Sequence, residues 1–442
     1  MHKLILYLID LITICAAYIF AMLLRFHGLV DTAHNQWMTL FFLLIMIPIV
    51  FYFYDLYNHL LYTQRPRIFF KFMKAWLVTL LLYVVVGFLT KYYFLIESRI
   101  FITFFYIFAL ILFFFIRIIC AKKILEYYFK YTGRILCCKY IGAPELFKPL
   151  ERFFKNNGVT GLKLVCREET DTEHNTQQEI FLYSEAETFE RLYNEIKENT
   201  RHGMVVHVAS LLFKELDLKW EWCSFNGAPV YTFHQKENQF WRERIKRCID
   251  FFGALFCLFI LAPFFLLISI AIKLDSRGPV IYKQKRCGKG GKTFTFYKFR
   301  SMYEHEKPET VLEAEFNHYR NSRVSKMEIL DSEYITPIGK ILRKTSIDEW
   351  PQFINILKGE MSLIGPRPHR PHEVKYYKEW HRDRLSVNQG LTGLWQIYGR
   401  GEIPSDRSIF LDLIYVINRS LSLDIKLLFQ TIPAVVLGKG AY

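Results

Sequence analysis

The chain has 442 residues, of which 52% are apolar, 17% aromatic and 22% charged, with a formal net charge of +15. That balance is too apolar for an ordinary soluble protein yet still well charged, and a membrane part joined to a polar part fits it. The charge calls for a polyanionic partner, and nucleic acid, anionic lipid headgroups and a nucleotide diphosphate all satisfy it. The nine cysteines are odd in number and scattered, with no CxxC pair and no Cys/His zinc spacing. They indicate neither a disulfide framework nor structural zinc and are read as reduced thiols.

Four apolar stretches open the chain, at residues 4–24, 37–57, 72–95 and 100–119. Each is close to the ~20 residues a spanning helix needs. They predict an N-terminal four-helix transmembrane bundle over residues 1–120, whose first member lacks a cleavage site and reads as an anchor. Arg65, Arg67, Lys71 and Lys74 crowd the second connection, while Lys122, Lys123, Lys130 and Arg134 follow the fourth stretch. By the positive-inside rule both ends of the bundle face the cytoplasm. Asp10, Asp55, Glu97 and Arg117 fall near span ends, where snorkelling accounts for them.

Over residues 134–235 short apolar runs alternate with polar helical patterns such as 185–199. The pattern predicts a small Rossmann-like α/β domain. Its first turn reads Gly142-Ala143-Pro144 where a dinucleotide fold would carry G-x-G-x-x-G, so the phosphate cradle is degenerate. A scaffold or dimerisation role is expected, with a homodimer formed through this unit.

A fifth apolar stretch, 248–272, is long enough to span, but basic residues stand on both sides of it. Arg242, Arg244, Lys246 and Arg247 precede it; Lys273, Arg277, Lys283, Lys285 and Arg286 follow. A span cannot keep both flanks on the cytoplasmic side. Pro263 at its middle removes a helix hydrogen bond and can turn the axis. A re-entrant membrane helix over about residues 245–273, breaking at Pro263, satisfies both observations; a plain fifth span would export the basic C-terminal region.

The rest of the predicted catalytic domain, residues 242–442, mixes α and β patterns. Its most distinctive segment runs from Leu342-Arg343-Lys344-Thr345-Ser346 through Ile347-Asp348-Glu349-Trp350-Pro351 to Gly359. It reads as one helix with a Ser346/Glu349 capping box, Pro351 in the first turn and Gly359 as the stop. Acidic residues in a first turn ordinarily serve only to stabilise the helix dipole, by about 0.3–1 kcal/mol. Here Arg343 precedes the acidic pair, and Gly365-Pro366-Arg367-Pro368 follows with a rigidly held guanidinium. Carboxylates beside a fork-shaped cation suit a phosphate substrate with a metal ion. Neighbouring helical residues point about 100° apart, so the two carboxylates suit divided labour, one attacking phosphorus and one holding Mg²⁺.

The segment resembles the signature of the bacterial sugar transferase family, the monotopic phosphoglycosyl transferases. Further stretches carry the resemblance: Gly278-Pro279-Val280, Gln284 to Gly288, Tyr297 to Met302, Gly390 to Gln396 with Gly399-Arg400, Leu423 to Lys426, and the ending Gly440-Ala441-Tyr442. It covers roughly the last 200 residues. The helix bundle and degenerate α/β unit are also similar to the larger members, which act on glucose or galactose phosphate. The resemblance implies transfer of hexose-1-phosphate from a UDP-sugar to undecaprenyl phosphate, with release of UMP, at the start of exopolysaccharide, capsule or O-antigen synthesis. Asp348 would be the nucleophile, forming an aspartyl phosphosugar, and Glu349 with Asp348 would hold Mg²⁺. Arg343 and Arg367 match phosphate-binding positions, and Lys298 and Arg300 are further basic candidates for the diphosphate. The site would face the cytoplasm at the inner membrane. Departures from the family pattern are Ala262 before Pro263, Trp350 after the acidic pair, Tyr334 and Pro337 in place of arginines, and Gln389 in place of a proline.

Weaker signals are His369 and His372, which lack two further metal ligands and read as exposed or phosphate-contacting. Trp395 and Tyr398 read as core aromatics. The basic run 283–300, with Phe294, Phe296, Tyr297 and Phe299 interleaved, reads as a strand over anionic membrane lipids, so no nucleic acid partner is expected. The rival reading is a non-catalytic membrane scaffold for glycan assembly.

Overall fold

A computed structural model of the chain describes residues 2–26, 33–54, 56–57, 65–90, 99–120, 123–124, 127, 136–156, 162–166, 179–200, 204–216, 223–234, 240–303, 334–398 and 405–436. Asp55, Glu97, Lys122, Lys130, Arg134, Gly399-Arg400 and Gly440-Ala441-Tyr442 lie outside the described residues. The chain divides into two units, one of residues 1–139 and 143–177, the other of 140–142 and 178–442.

The first unit opens with four long apolar helices: α1 (His2–Phe26), α2 (Ala33–Phe53), α3 (Arg65–Thr90) and α4 (Arg99–Phe114), the last continuing as a π-helical segment over Phe115–Cys120. Leu6, Ile14, Leu43, Phe51, Phe72, Phe105 and Phe113 pack into their shared core. Leu23, Phe41, Leu81, Phe88 and Ile111 remain exposed on the outer faces, as expected where lipid replaces water as the solvent. The boundaries differ from the apolar stretches: α3 starts earlier, because Pro66 suits a first helical turn, and α2 ends at Phe53.

One expectation is corrected here. Asp10 and Arg117 do not snorkel; they are 0% and 1% exposed. Arg117 Nε donates to Asp10 Oδ1 at 2.9 Å and its second nitrogen to Asp10 Oδ2, while Tyr57 Oη donates to Oδ2 at 2.7 Å. A third Arg117 nitrogen reaches the Leu56 carbonyl at 2.5 Å. In an apolar bundle, pairing across helices satisfies both charges where one helix alone could not. The unit continues with most of β1 (Leu136–Ile141), then α5 (Phe147–Asn156) and β2 (Leu162–Cys166).

In the second unit β3 (Glu179–Ser184), β4 (Val205–Ser210), β5 (Cys223–Phe225) and β6 (Ala228–His234) build a mixed sheet, with α6 (Phe189–Thr200) connecting β3 to β4. β3 pairs parallel to β4, β4 antiparallel to β6, and β6 antiparallel to β5. The long helix α7 (Phe240–Asp275) follows, then the hairpin β7 (Ile281–Cys287) and β8 (Thr293–Phe299), in register from Ile281 against Phe299 to Cys287 against Thr293. The basic aromatic run thus forms a strand pair, as its alternation indicated.

After α8 (Pro337–Lys344), a 3₁₀ turn at Ile347–Glu349 and α9 (Gln352–Lys358), the chain adds β9 (Met361–Ile364), α10 (Pro371–Lys375) and a second 3₁₀ turn at Trp380–Ser386. β10 (Gln389–Thr392), α11 (Leu394–Tyr398), α12 (Ser405–Asn418) and α13 (Leu421–Val436) complete it, with β10 parallel to β9. Val206, Val208 and Phe233 of the sheet, Leu192 of α6 and Phe213 just after β4 share one apolar core with Met361, Ile364, Phe410 and Ile414.

Helix α7 runs with Pro263 inside it and helical backbone on both sides. Its residues 250, 254, 257, 258, 261, 265, 268 and 272 recur at helical spacing and face the rest of the unit. Phe252, Phe256, Phe259, Leu266, Leu267 and Leu274 are exposed on the other side. Both halves are tied down. Arg247 donates to the Ile356 and Leu357 carbonyls at 2.5 and 2.7 Å, Asp250 accepts from the Leu363 amide at 2.9 Å, and Asp275 accepts from the Ile338 amide at 3.3 Å.

Candidate active site

The acidic pair sits on the 3₁₀ turn between α8 and α9. Thr336 caps α8 by accepting from the Gly339 amide at 2.9 Å, and Pro337 fills the first position, where no amide is needed. A Cβ on Gly339 would meet the Ser301 carbonyl oxygen at 1.9 Å, so only glycine lets α8 lie this close to the end of β8. Ser346 then turns the chain with φ of 58°. This overturns the expected single helix with a Ser346/Glu349 capping box: Ser346 makes no side-chain cap, and α9 begins only at Gln352. A left-handed residue cannot continue a helix, and Glu349 is drawn instead to two cations. The expected stop is present, since Gly359 closes α9 at φ of 83°.

Ile347 and Trp350, on either side of the pair, pack against Phe265 and Ile268 of α7 with Phe299 and Leu342. Trp350 thereby fills a place between the turn and the long helix. Asn355 on α9 fixes the turn to β8: it donates to the Thr295 carbonyl at 2.7 Å and accepts from the Tyr297 amide at 3.2 Å.

Asp348 is 6% exposed. Lys298 on β8 donates to Asp348 Oδ2 at 3.2 Å and to Glu349 Oε1 at 2.9 Å; Arg367 reaches the same Glu349 oxygen at 3.1 Å. Burial by itself raises the Glu349 pKa. The charges and hydrogen bonds of Lys298 and Arg367 outweigh it and hold the group well below the usual carboxylate range. Asp348 Oδ1 and Glu349 Oε2 have no protein partner among the described residues.

The loop carrying Arg367 is pinned carbonyl by carbonyl. Pro366 accepts from the Gly390 amide at 2.7 Å, Arg367 from Arg384 at 2.8 Å, Pro368 from Arg286 at 3.0 Å and His369 from the Cys287 amide at 2.8 Å. A Cβ on Gly390 would approach the Gly365 nitrogen to 2.1 Å, which explains glycine in both stretches. Gln389 donates to the Arg384 and Val387 carbonyls at 3.1 and 3.0 Å.

Of the residues singled out in the sequence, the structure brings together Asp348, Glu349, Lys298 and Arg367. Arg343 stands on the last turn of α8 with its guanidinium 3.6 Å from Met302 Sδ. Arg300 turns elsewhere: its guanidinium binds the carbonyls of Ile272, Ser276 and Pro279 at 3.3, 2.7 and 2.6 Å and closes the C-terminus of α7. Pro263 lies on the exposed side of that helix. In the sequence, Arg286 reads only as part of the basic flank after the fifth apolar stretch, and Arg384 goes unnamed. Arg286 lies inside a quoted motif stretch, which was a usable signal; Arg384 has no local signature, since its partners come from three separate segments.

Residues 241–438 match the family model described as bacterial sugar transferase. The chain is 40% identical over 222 residues to galactosyl transferase CpsE of Streptococcus agalactiae, an alignment covering 49% of this chain and 48% of that protein. It is 39% identical over 201 residues to the exopolysaccharide production protein ExoY of Sinorhizobium fredii, covering 45% of this chain and 88% of ExoY. It is 37% identical over 200 residues to the undecaprenyl-phosphate galactose phosphotransferase of Salmonella typhimurium, covering 45% of this chain and 42% of the other. The chain belongs to the bacterial sugar transferase family. It spans about half the length of CpsE and most of ExoY.

Proposed function

We propose that the protein transfers hexose-1-phosphate, with glucose or galactose favoured, from a UDP-sugar to undecaprenyl phosphate and releases UMP. The reaction would begin exopolysaccharide, capsule or O-antigen synthesis at the cytoplasmic face of a bacterial inner membrane. The observation that carries this reading is the buried Asp348 beside Glu349, with Lys298 and Arg367 fixed against them and one oxygen of each carboxylate open.

Asp348 attacks the sugar-side phosphorus through its carboxylate oxygen. The bond from that phosphorus to the bridging oxygen breaks, and UMP departs with the oxygen and its electron pair. A phosphate oxygen of undecaprenyl phosphate then attacks the same phosphorus and returns Asp348 to a free carboxylate. Two displacements let nucleotide and lipid use the site in turn. Lys298 lowers the repulsion between Asp348 and the incoming anion, and Arg367 offers a planar fork to phosphate oxygens. Glu349 orients both cations.

Two open oxygens from adjacent carboxylates fit Mg²⁺, which is commonly held by one or two carboxylates plus substrate phosphates. Asp348 and Glu349 would hold it, and it would neutralise the developing phosphate charge. The described residues contain no cluster of three or more acidic, histidine or cysteine ligands, and water with substrate phosphates would supply the rest of such an ion's shell. The reading also takes α7 as re-entrant. Tethers from both halves of α7 to one unit support this, because a straight helix of 36 residues would carry its ends ~54 Å apart. In this reading the sheet of the second unit is a degenerate Rossmann-like scaffold through which two chains pair.

Mass spectrometry of the protein with Mg²⁺ and single UDP-sugars, without lipid, tests the reading. A sugar-phosphate adduct on the Asp348 peptide is expected with one donor. Lipid-linked product without any adduct would replace the two-step route by direct displacement, and neither adduct nor product would return the protein to a scaffold.

A further inference from the structure

His369 stands at the end of the pinned loop, two residues beyond Arg367, and plays no part in the two displacements. Its Nδ1 lies 2.8 Å from Tyr377 Oη, and Tyr377 Oη lies 2.6 Å from an Arg384 nitrogen. The direction of this chain follows from the donors. A guanidinium has no acceptor, so Arg384 donates to the tyrosine oxygen. The Tyr377 proton is then directed at His369 Nδ1, which must accept it. An imidazole accepting at Nδ1 carries its proton at Nε2. Arg384 is 1% exposed and held by Asp412 at 2.5 Å, so the relay is rigid at its source.

The histidine ring is otherwise kept uncharged. Burial lowers its pKa well below the usual value, and Arg384, Arg286, Arg367 and His381 act in the same direction. Glu373, 3.9 Å from Nδ1, is the opposing charge, and its carboxylate already accepts from the Arg370 amide at 2.6 Å. The side chain is nevertheless 27% exposed, and Nε2 has no protein partner among the described residues. A fixed donor left open beside Arg367, on a loop whose four carbonyls are all held, is placed for a ligand acceptor.

We propose that His369 is a substrate-binding residue whose Nε2–H, directed by the Arg384–Tyr377 relay, hydrogen-bonds a phosphate oxygen of the sugar nucleotide held by Arg367. Tyr377 and Arg384 are positioning residues that act through it. The inference rests on the nucleotide-sugar reading of the site above.

The test uses the full chain in lipid nanodiscs with Mg²⁺, measuring UDP affinity by calorimetry and UMP release from UDP-galactose and UDP-glucose. Loss of one hydrogen bond to a charged group predicts that His369→Ala weakens UDP binding and raises KM about 10- to 100-fold. Glutamine places its amide nitrogen near Nε2 and asparagine near Nδ1, so His369→Gln should recover most of the affinity and His369→Asn should not. Tyr377→Phe should fall between wild type and His369→Ala. UDP affinity and KM unchanged in His369→Ala, or Gln, Asn and Ala variants equally impaired with equally lowered melting temperature, would overturn the proposal while leaving the transferase reading intact. A wild-type protein that neither binds UDP nor releases UMP from either donor would remove both.

Discussion

Among the buried clusters of the described residues that pair carboxylates with guanidinium groups, those at Asp10 and at Asp348–Glu349 differ in what they leave open. In the helix bundle both oxygens of Asp10 receive Arg117 nitrogens, with Tyr57 added. Around Asp348 and Glu349 the cations reach only one oxygen of each carboxylate. The first cluster is closed by the protein itself and serves cohesion. The second is left for something that enters it to complete, so charge density alone does not distinguish a site from a clamp, nor does an unfilled valence that is sealed in, as at Asp412 Oδ1; an open oxygen that is not sealed in does.

The comparison breaks most directly at Asp348. Asp348→Asn keeps the shape and removes the nucleophile, and UMP release should fall on the order of 10⁴-fold or more, with no adduct by mass spectrometry. Activity within tenfold of wild type would mean that this carboxylate is as passive as Asp10. The closed cluster should respond in stability. Asp10→Ala strands a buried Arg117 and should cost about 3–5 kcal/mol, read as thermal unfolding in lipid particles. Replacing both partners by apolar residues of similar volume should recover much of the loss, because the desolvation cost of the pair disappears with the pair.

A smaller effect is expected from the loop that holds Arg367. Gly390→Ala sets a Cβ against the Gly365 nitrogen, and the backbone on both sides must shift. Turnover should drop by about 10- to 100-fold, the scale on which ångström misplacement affects catalysis, with a higher KM for the UDP-sugar. An unchanged KM would show that the Arg367 position tolerates movement.

The smallest effect concerns pH. Glu349 has a folded pKa below its ordinary value of 4.5, so it contributes stability that is fully present above that value. This contribution is lost as pH falls below about 4.5 toward the folded pKa. In metal-free buffer, the melting temperature of wild type should decline over this acid range more steeply than that of Glu349→Gln. Parallel curves would mean that Lys298 and Arg367 do not hold the carboxylate ionised.

Much of the site was legible because its chemistry is local in sequence. Asp348, Glu349 and Arg367 lie within a stretch of about 20 residues that contains Gly359 and the Gly365–Pro368 turn, and composition marks it. Lys298 was reachable through its motif, but its contact with the pair depends on Asn355 binding β8 to α9. Arg300, two residues further along the chain, could not be separated from Lys298 by residue type. Strand alternation sends the two to the same face, and the end of α7 claims only the second. The capping box failed for a related reason: Ser346 and Glu349 have the right spacing, but two tertiary cations compete for Glu349 more strongly than one backbone amide.

The amino-acid sequence by itself determined the apolar helices, the acidic pair, the glycine turns and the family, since these depend on hydrophobic length, on local backbone preference and on residues close together in the chain. Only the tertiary structure decided that Asp10 meets Arg117 across 107 positions and that Arg300 closes a helix. It alone decided that Arg384 orders Arg367 and His369 together. Those are choices of partner for a charge, and a charge takes the partner that best replaces its lost water, which no local pattern records.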